Sequence, residues 1–251
     1  QNSSIPTLRY MSPSPCKMAF WTMAICLIGA LESHAQFSQF SASKFCSPRH
    51  MTVHGDHLYI AEAGVGPTTL PNAPEAPDAP CMWAAHVNAF SCWGSTSSVS
   101  RLPLAGGQKE EMLTDLYSFR AINGSGENHV IGASSVAFDA SGTMYTIMGL
   151  ASNGTVINQA GLNGGNILST EWGPQGTPTG MNSPVFARPW EYELANNPDG
   201  KMDPTGIFAV ADSNPYHALV NAGLMYVVDA GGNDLLTYDM TTRNVVHAYV
   251  F

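Results

Sequence analysis

Acidic and amide side chains stand at or just beyond the ends of apolar segments in this 251-residue sequence. Five such residues are candidates for a ligand site: Glu62, Asp212, Asn214, Asp229 and Asn233. Carboxylate and amide oxygens are the ligands that Ca²⁺ and Mg²⁺ prefer, so the first four predict a site for one of these ions. The same residue types also cap turns by hydrogen bonding to their own backbone. Both interpretations stay open at this stage.

A second group of candidates lies in a Pro-rich segment that is bounded by two cysteines. Cys81 and Cys92 are 11 residues apart, and a local disulfide between them fits an oxidising compartment. Trp83 lies inside this segment and Trp93 follows it, which predicts an apolar lid or partner surface. Alternatively, the two aromatic side chains pack the loop onto its own sheet. Cys46 is either a buried thiol or the partner of another cysteine.

Several common kinds of site have no signature in the sequence. It contains no Cys-x-x-Cys pair, no Gly-x-Ser-x-Gly elbow, no Gly-x-Gly-x-x-Gly and no Walker loop. The formal net charge is −9, so we expect no basic face for nucleic acid. The histidines near the first hairpin lack the spacing of a zinc site.

Three segments of the sequence align with one another. Each consists of an apolar strand, a tight turn and a second apolar strand that begins near a tyrosine, which is the pattern of an antiparallel hairpin. The segments are 48–64, 133–149 and 215–231. The second strand is apolar throughout, which predicts burial on both faces, and a more amphipathic strand follows each hairpin. The pattern predicts an all-β fold, in which these units are the blades of a β-propeller.

The spacing of the repeat predicts long loops between the blades. The three tyrosines are separated by 86 and 81 residues, whereas a compact blade takes about 40 to 50. Residues 65–93 and 151–205 are therefore interpreted as insertions, and insertions on one face of a repeat protein commonly carry binding. We expect three to four blades here. A closed propeller needs about four to eight, so the sequence is interpreted as a truncated fragment.

The N-terminal part of the sequence has the order of a secretory signal peptide. Lys17 precedes an apolar run over 18–31, and Ser33-His-Ala35 follows as a small-x-small cleavage site. Residues 1–35 are predicted to be a leader with the signal peptide over 18–35, and 36–251 a partial propeller domain. An uncleaved anchor or a buried helix is the alternative. The predicted location is secreted, either periplasmic or extracellular.

Several motifs together resemble the ScyD/ScyE family, which is named from the scytonemin biosynthesis cluster. They are Tyr-Ile-Ala-Glu-Ala-Gly at 59–64, the Cys-bounded loop, and the stretches 195–200, 212–216 and 229–236. The resemblance covers about residues 46 to 251 and implies a secreted, NHL-like or TolB-like propeller with six blades when complete. The second repeat departs from the family because 146–149 has no acid. The family's activity is poorly defined, so the resemblance implies no catalytic residues.

The favoured function is non-enzymatic. The chain is predicted to be an exported monomer that binds a small molecule or a protein partner with loops at one channel mouth. The alternative is a hydrolase of the regucalcin or gluconolactonase type, in which Ca²⁺ or Mg²⁺ polarises a carbonyl group for attack by water. A structural extracellular role is the third possibility. No cofactor is certain.

Overall fold

The computed structural model describes residues 45–66, 81–84, 89–123, 128–150, 163–170, 183–200 and 213–251. These ranges fall within the compact unit Phe40–Phe251, and the predicted leader lies outside them. Antiparallel strands make up most of this part of the chain, together with a helix, α1 (Pro189–Asn196). Within the same ranges, no helix has the length and apolarity required to cross a membrane.

The strands form three antiparallel sheets that follow one another along the chain. Sheet I contains β1 (Pro48–His54), β2 (His57–Glu62), β3 (Cys81–Ala84), β4 (Ala89–Pro103), β5 (Glu110–Asn123) and β6 (Asn128–Ile131), with the order β1-β2-β4-β5-β6 and β3 paired to β4. Sheet II contains β7 (Ala133–Phe138), β8 (Met144–Met148), β9 (Ile167–Thr170) and β10 (Val185–Ala187), in chain order. Sheet III contains β11 (Pro215–Asn221), β12 (Leu224–Asp229), β13 (Asp234–Asp239) and β14 (Val245–Val250), also in chain order.

The three predicted hairpins are the first two strands of the three sheets. Their turns use residues that tolerate a left-handed backbone. Gly55 has a φ of 60°, and Ala222 and Gly223 have φ of 49° and 78°. In every hairpin the pairing shifts directly after the first residue of the first strand. This shift is a β-bulge, and the residues at the bulge are Arg49, Ser134 and Tyr216.

The sheets stack face to face, with sheet II in the middle. One core cluster contains Tyr59, Val99 and Leu113 of sheet I together with Val136 and Met148 of sheet II. A second cluster joins the other face of sheet II to sheet III. Because both of its faces are covered, every residue of β8 is buried, as the apolar second strands predicted.

The first strands of the sheets lie side by side. β7 contacts both β1 and β11, and the Thr52 hydroxyl donates to the Val136 carbonyl at 2.7 Å. The Ser134 hydroxyl is 3.0 Å from the Pro215 carbonyl. Meandering antiparallel sheets with adjacent first strands, four-stranded in sheets II and III and six-stranded in sheet I, are the blades of a β-propeller. The all-β propeller prediction is confirmed for three blades; the total of six stays a prediction.

The predicted insertions are more regular than the sequence indicated. β9, in segment 151–205, is the amphipathic strand that was expected after the second hairpin. Segment 65–93 contains β3 and the beginning of β4, and segment 151–205 contains β10 and α1 in addition. The loop interpretation was therefore wrong for these parts, because cross-strand pairing orders residues whose composition resembles a loop. In sheet III the prediction of burial on both faces was also wrong. Its outer face is open, so Val228 on β12 is 38% exposed and Leu219 on β11 is 60% exposed.

We predict that Thr52→Val destabilises the contact between the first two blades. The substitution keeps the shape of the side chain but removes the donor to the Val136 carbonyl. The free energy of unfolding should fall by about 1 to 3 kcal/mol. Urea unfolding measures it. Thr114→Val is the control, because Thr114 only donates to the exposed Asp115 carboxylate; equal losses in both variants would contradict the prediction.

Candidate functional site

A cleft of about 310 Å³ opens where the first strands of the three sheets begin. Its lining includes Arg49, Gly132, Ser134, Gly149, Asn214 and Tyr216. The three bulge residues are all among them. A bulge turns a side chain away from the regular alternation of a strand, and here it happens at the same position of each repeat. The cleft is therefore a product of the repeat itself.

The cleft offers different chemical groups at its three equivalent positions. Arg49 brings a guanidinium group, one nitrogen of which donates to the Val130 carbonyl. Tyr216 brings a phenol, and the residue is 51% exposed. Ser134 brings a hydroxyl that lies 2.9 Å from the Ile147 carbonyl. None of the residues described in the lining is acidic, so the fixed charge of the cleft is positive.

Asn214 is the sequence-predicted site residue that the structure places in this cleft. Its Oδ1 atom accepts a hydrogen bond from the Leu150 amide at 3.0 Å. This bond ties the entrance of sheet III to the exit of β8. The Asn214 amide nitrogen of the main chain is itself bound to Asp229, at 2.6 Å.

Two histidines follow directly after bulge residues and meet near the cleft. The rings of His50 and His217 lie 4.3 Å apart between centroids, although they belong to the first and third blades. Burial lowers the pKa of both imidazoles, and the charge of His217 lowers that of His50 further. The buried Nδ1 atom of His217 has no hydrogen-bond partner among the described residues. Sequence analysis missed this pair, although both residues stand two positions after the proline of an aligned repeat.

Glu62 is fully buried in sheet I and its carboxylate is occupied. It accepts hydrogen bonds from the Cys46 amide at 2.7 Å and from the Ser100 hydroxyl, and it pairs with Lys109 at 2.7 Å. These bonds hold the entrance of β1 against the end of β2. They correspond to the capping interpretation of this residue.

Asp229 occupies the equivalent position of sheet III and is also a cap. Its carboxylate accepts hydrogen bonds from the Ser213 hydroxyl and from the amides of Asn214, Gly231 and Gly232, over 2.6–3.1 Å. In sheet II the position is Met148. The acid in the repeat thus fixes the chain before the first strand and after the second.

The remaining predicted site residues lie elsewhere. Asn233 is exposed and donates to the Asp199 carboxylate at 2.9 Å. Trp93 packs against the core between sheets I and II, as the alternative interpretation of the aromatic residues expected. Trp83 stands on β3, but its side chain is outside the described part of the chain, as is Asp212.

The predicted metal site receives no further geometric support. In the described ranges, no three or more His, Cys, Asp or Glu side chains are grouped as metal ligands. The set of Glu62, Asp212, Asn214 and Asp229 stays a prediction, because one member lies outside these ranges.

Comparison with known proteins gives only distant likenesses. No family model matches the chain, and no curated protein matches its sequence. Among solved structures, the nidogen/laminin complex is 8% identical with a TM-score of 0.35, covering 86% of this chain and 68% of that chain. The PQQ-bound aldose sugar dehydrogenase from Streptomyces coelicolor is 12% identical with a TM-score of 0.30, covering 84% and 82%. These likenesses are too distant to carry an argument.

We predict that acid destabilises the protein through the histidine pair. Because burial lowers both pKa values, the unfolded chain binds more protons once the pH falls below about 6.5. The contribution of the two histidines to the free energy of unfolding should decrease from pH 7.5 to pH 5.5, by at most about 1.4 kcal/mol per pH unit for each histidine, while the raised pKa of the Glu193 carboxyl group acts in the opposite direction. Urea titrations across this range measure the slope.

His217→Phe should make that slope shallower, because it removes one proton-binding group and keeps a ring in place. His247→Phe is the control, since His247 is exposed on β14. An unchanged slope in His217→Phe would show that the pair is not responsible.

We further predict that Lys109→Met costs about 3 to 5 kcal/mol of unfolding free energy, because it leaves the Glu62 carboxylate buried without its cation. Arg101→Met removes the partner of Glu110 in an exposed pair of the same sheet, and should cost less than about 1 kcal/mol. Thermal and urea unfolding measure both. Similar losses would mean that Glu62 does not depend on Lys109.

Proposed function

We propose that this chain is part of an exported β-propeller of the ScyD/ScyE type that binds a small molecule at the cleft. The observation that carries the proposal is the convergence of three repeat-equivalent bulge residues at one opening. Arg49 and Tyr216 present different polar groups to this cleft, while the buried Ser134 hydroxyl lies within hydrogen-bond distance of the Ile147 and Pro215 carbonyls. The cleft lies where the first strands of the three sheets begin, and in propellers the innermost strands line the central channel.

The groups of the cleft favour an aromatic carboxylate as the ligand class. A guanidinium has five N–H donors in a planar fork that matches a carboxylate. The Val130 carbonyl engages one nitrogen of Arg49. The half-exposed ring of Tyr216 offers a stacking face, and pockets combine such apolar surfaces with a few polar groups. The absence of acidic residues from the described lining removes repulsion of an anion.

Export of the protein is proposed from its sequence and from one feature of sheet I. Cys81 and Cys92 are direct partners across β3 and β4. Partners in an antiparallel pair have Cα atoms about 4.5 to 5.5 Å apart, within the range that a disulfide spans. Cys46 and Cys92 are both disulfide-bonded, so the predicted Cys81–Cys92 bond competes with a Cys46–Cys92 bond for the same sulfur. A disulfide at Cys92 is therefore proposed, in agreement with the leader over 1–35 and secretion of the domain that follows.

The metal-dependent hydrolase is less well supported as an alternative. It requires Glu62 and Asp229 to turn their oxygens towards an ion at the axis. Both carboxylates instead hold backbone amides and neighbouring side chains in their own sheets. Ligation would break these buried bonds, at a cost of about 1 to 3 kcal/mol for each group left unsatisfied.

The proposal predicts that 4-hydroxyphenylacetate binds the full chain and that Arg49→Gln weakens this binding at least about tenfold, the loss expected for a charge-assisted pair. The corresponding neutral amide should bind more weakly to the wild type and be insensitive to the substitution. Calorimetry and ligand-observed NMR measure both probes.

Arg101→Gln is the matched control, because Arg101 is an arginine of the same sheet and does not line the cleft. Equal binding by the wild type and Arg49→Gln would overturn the assignment of the cleft. Binding that is lost only with Tyr216→Ala would restrict the site to aromatic stacking.

A further inference from the structure

Helix α1 places a carboxylate over the turn that joins β12 to β13. The Glu193 carboxylate packs so closely on Gly232 that a Cβ atom there would lie 2.7 Å from Cδ and 2.9 Å from each oxygen. Asp229 and Asp234 are cross-strand partners at the two ends of this turn. Glu193 therefore points into a turn that already carries two acidic residues.

The carboxylates at this turn are not equally satisfied. Asp229 accepts four hydrogen bonds. Glu193 and Asp234 are both 0% exposed, and none of their four carboxylate oxygens has a donor in the part of the chain that the structure describes. The two carboxyl groups lie close enough to hydrogen-bond to each other, which requires a proton on one of them. No lysine or arginine of this part forms a salt bridge with either residue. Two ionised groups in this state would cost several kcal/mol each.

A fifth buried oxygen without a partner belongs to Tyr238, which stands on β13 four residues after Asp234. The hydroxyl of Tyr238 belongs to a residue that is 3% exposed, and it has no hydrogen-bond partner among the described residues. Burial raises the pKa of this phenol, and the charges of Asp229, Glu193 and Asp234 raise it further. Buried polar atoms are almost always paired, so several orphans in one region indicate an ion or water that completes them.

Electrostatics also disfavour two ionised carboxylates at this turn. Burial, followed by the charges of Asp234 and Asp229, raises the pKa of Glu193 far above that of an ordinary carboxyl group. Burial is likewise the largest cause that raises the pKa of Asp234. In the absence of a cation these groups take up protons, and a cation that binds them must displace those protons.

We propose that Glu193 and Asp234 are the anionic ligands of a site for one hard divalent cation, with Ca²⁺ as the probe. The two carboxylates can supply up to four oxygens. Ca²⁺ takes six to eight oxygen ligands and accepts hydroxyl, carbonyl and water oxygens in a flexible geometry. The Tyr238 hydroxyl is the neutral protein ligand that the structure offers. These ligands differ from the metal ligands predicted from the sequence, and their use leaves the hydrogen bonds of Asp229 intact.

The decisive experiment measures Ca²⁺ binding to the full chain after removal of metal ions. Calorimetry at pH 7.5 should give about one Ca²⁺ per chain, and Ca²⁺ should raise the melting temperature by mass action. Glu193→Gln and Asp234→Asn should each weaken binding at least about tenfold. Glu191→Gln is the control, because Glu191 is an exposed carboxylate on the same helix and should bind as the wild type does.

Two further measurements test the cation site. The metal-free Glu193→Gln variant should melt higher than the metal-free wild type at pH 7.5, because the amide has no charge to bury; the variant therefore folds. Binding to the wild type should weaken as the pH falls from 7.5 to 5.5. Failure of the wild type to bind millimolar Ca²⁺, with the same gain of stability in Glu193→Gln, would show that protons alone neutralise the pair. Retained binding in both variants would place the ion elsewhere.

Discussion

The structure depends on burial of both faces of its central sheet. Sheet II is covered by sheet I on one face and by sheet III on the other, so its strands have no solvent-facing side. This packing requires the backbone segments to approach closely where the chain passes from one sheet to the next. At Gly132 a Cβ atom would lie 2.4 Å from the Ala63 carbonyl oxygen, a distance that no other residue type could tolerate. The sheets then stack around a common axis, because each first strand must lie beside the first strand of the previous sheet.

The bulge at the entrance of each first strand adds a cleft to this architecture. A bulge breaks the regular alternation of side chains along a strand at residues 49, 134 and 216. The bulge moves all three to the same opening. The β-bulge occurs at the same position in the three repeats, whereas the side chains at that position differ. Specificity can therefore change at these positions without loss of the fold.

The acidic residues of the molecule serve in two distinct ways. Glu62 and Asp229 are buried with complete sets of donors, and they close the hairpins to which they belong. Glu193 and Asp234 are equally buried but have no donors among the described residues. A buried carboxylate with hydrogen-bond partners stabilises the structure, while an ionised carboxylate without partners destabilises it. The second kind therefore indicates a function that the hairpin motif alone does not explain.

The sequence by itself determined the hairpins, because strand alternation and turn chemistry are local properties. It identified the segments 48–64, 133–149 and 215–231, their buried second strands and the acid that ends two of them. It did not show β3, β10 or α1, whose residues are ordered by pairing and packing with distant strands. Only the tertiary structure brought Arg49, Ser134 and Tyr216 to one cleft. It also placed His50 against His217, and it placed Glu193 over the turn that precedes Asp234. These contacts join residues that are far apart in the chain, and their distances are set by how the sheets stack.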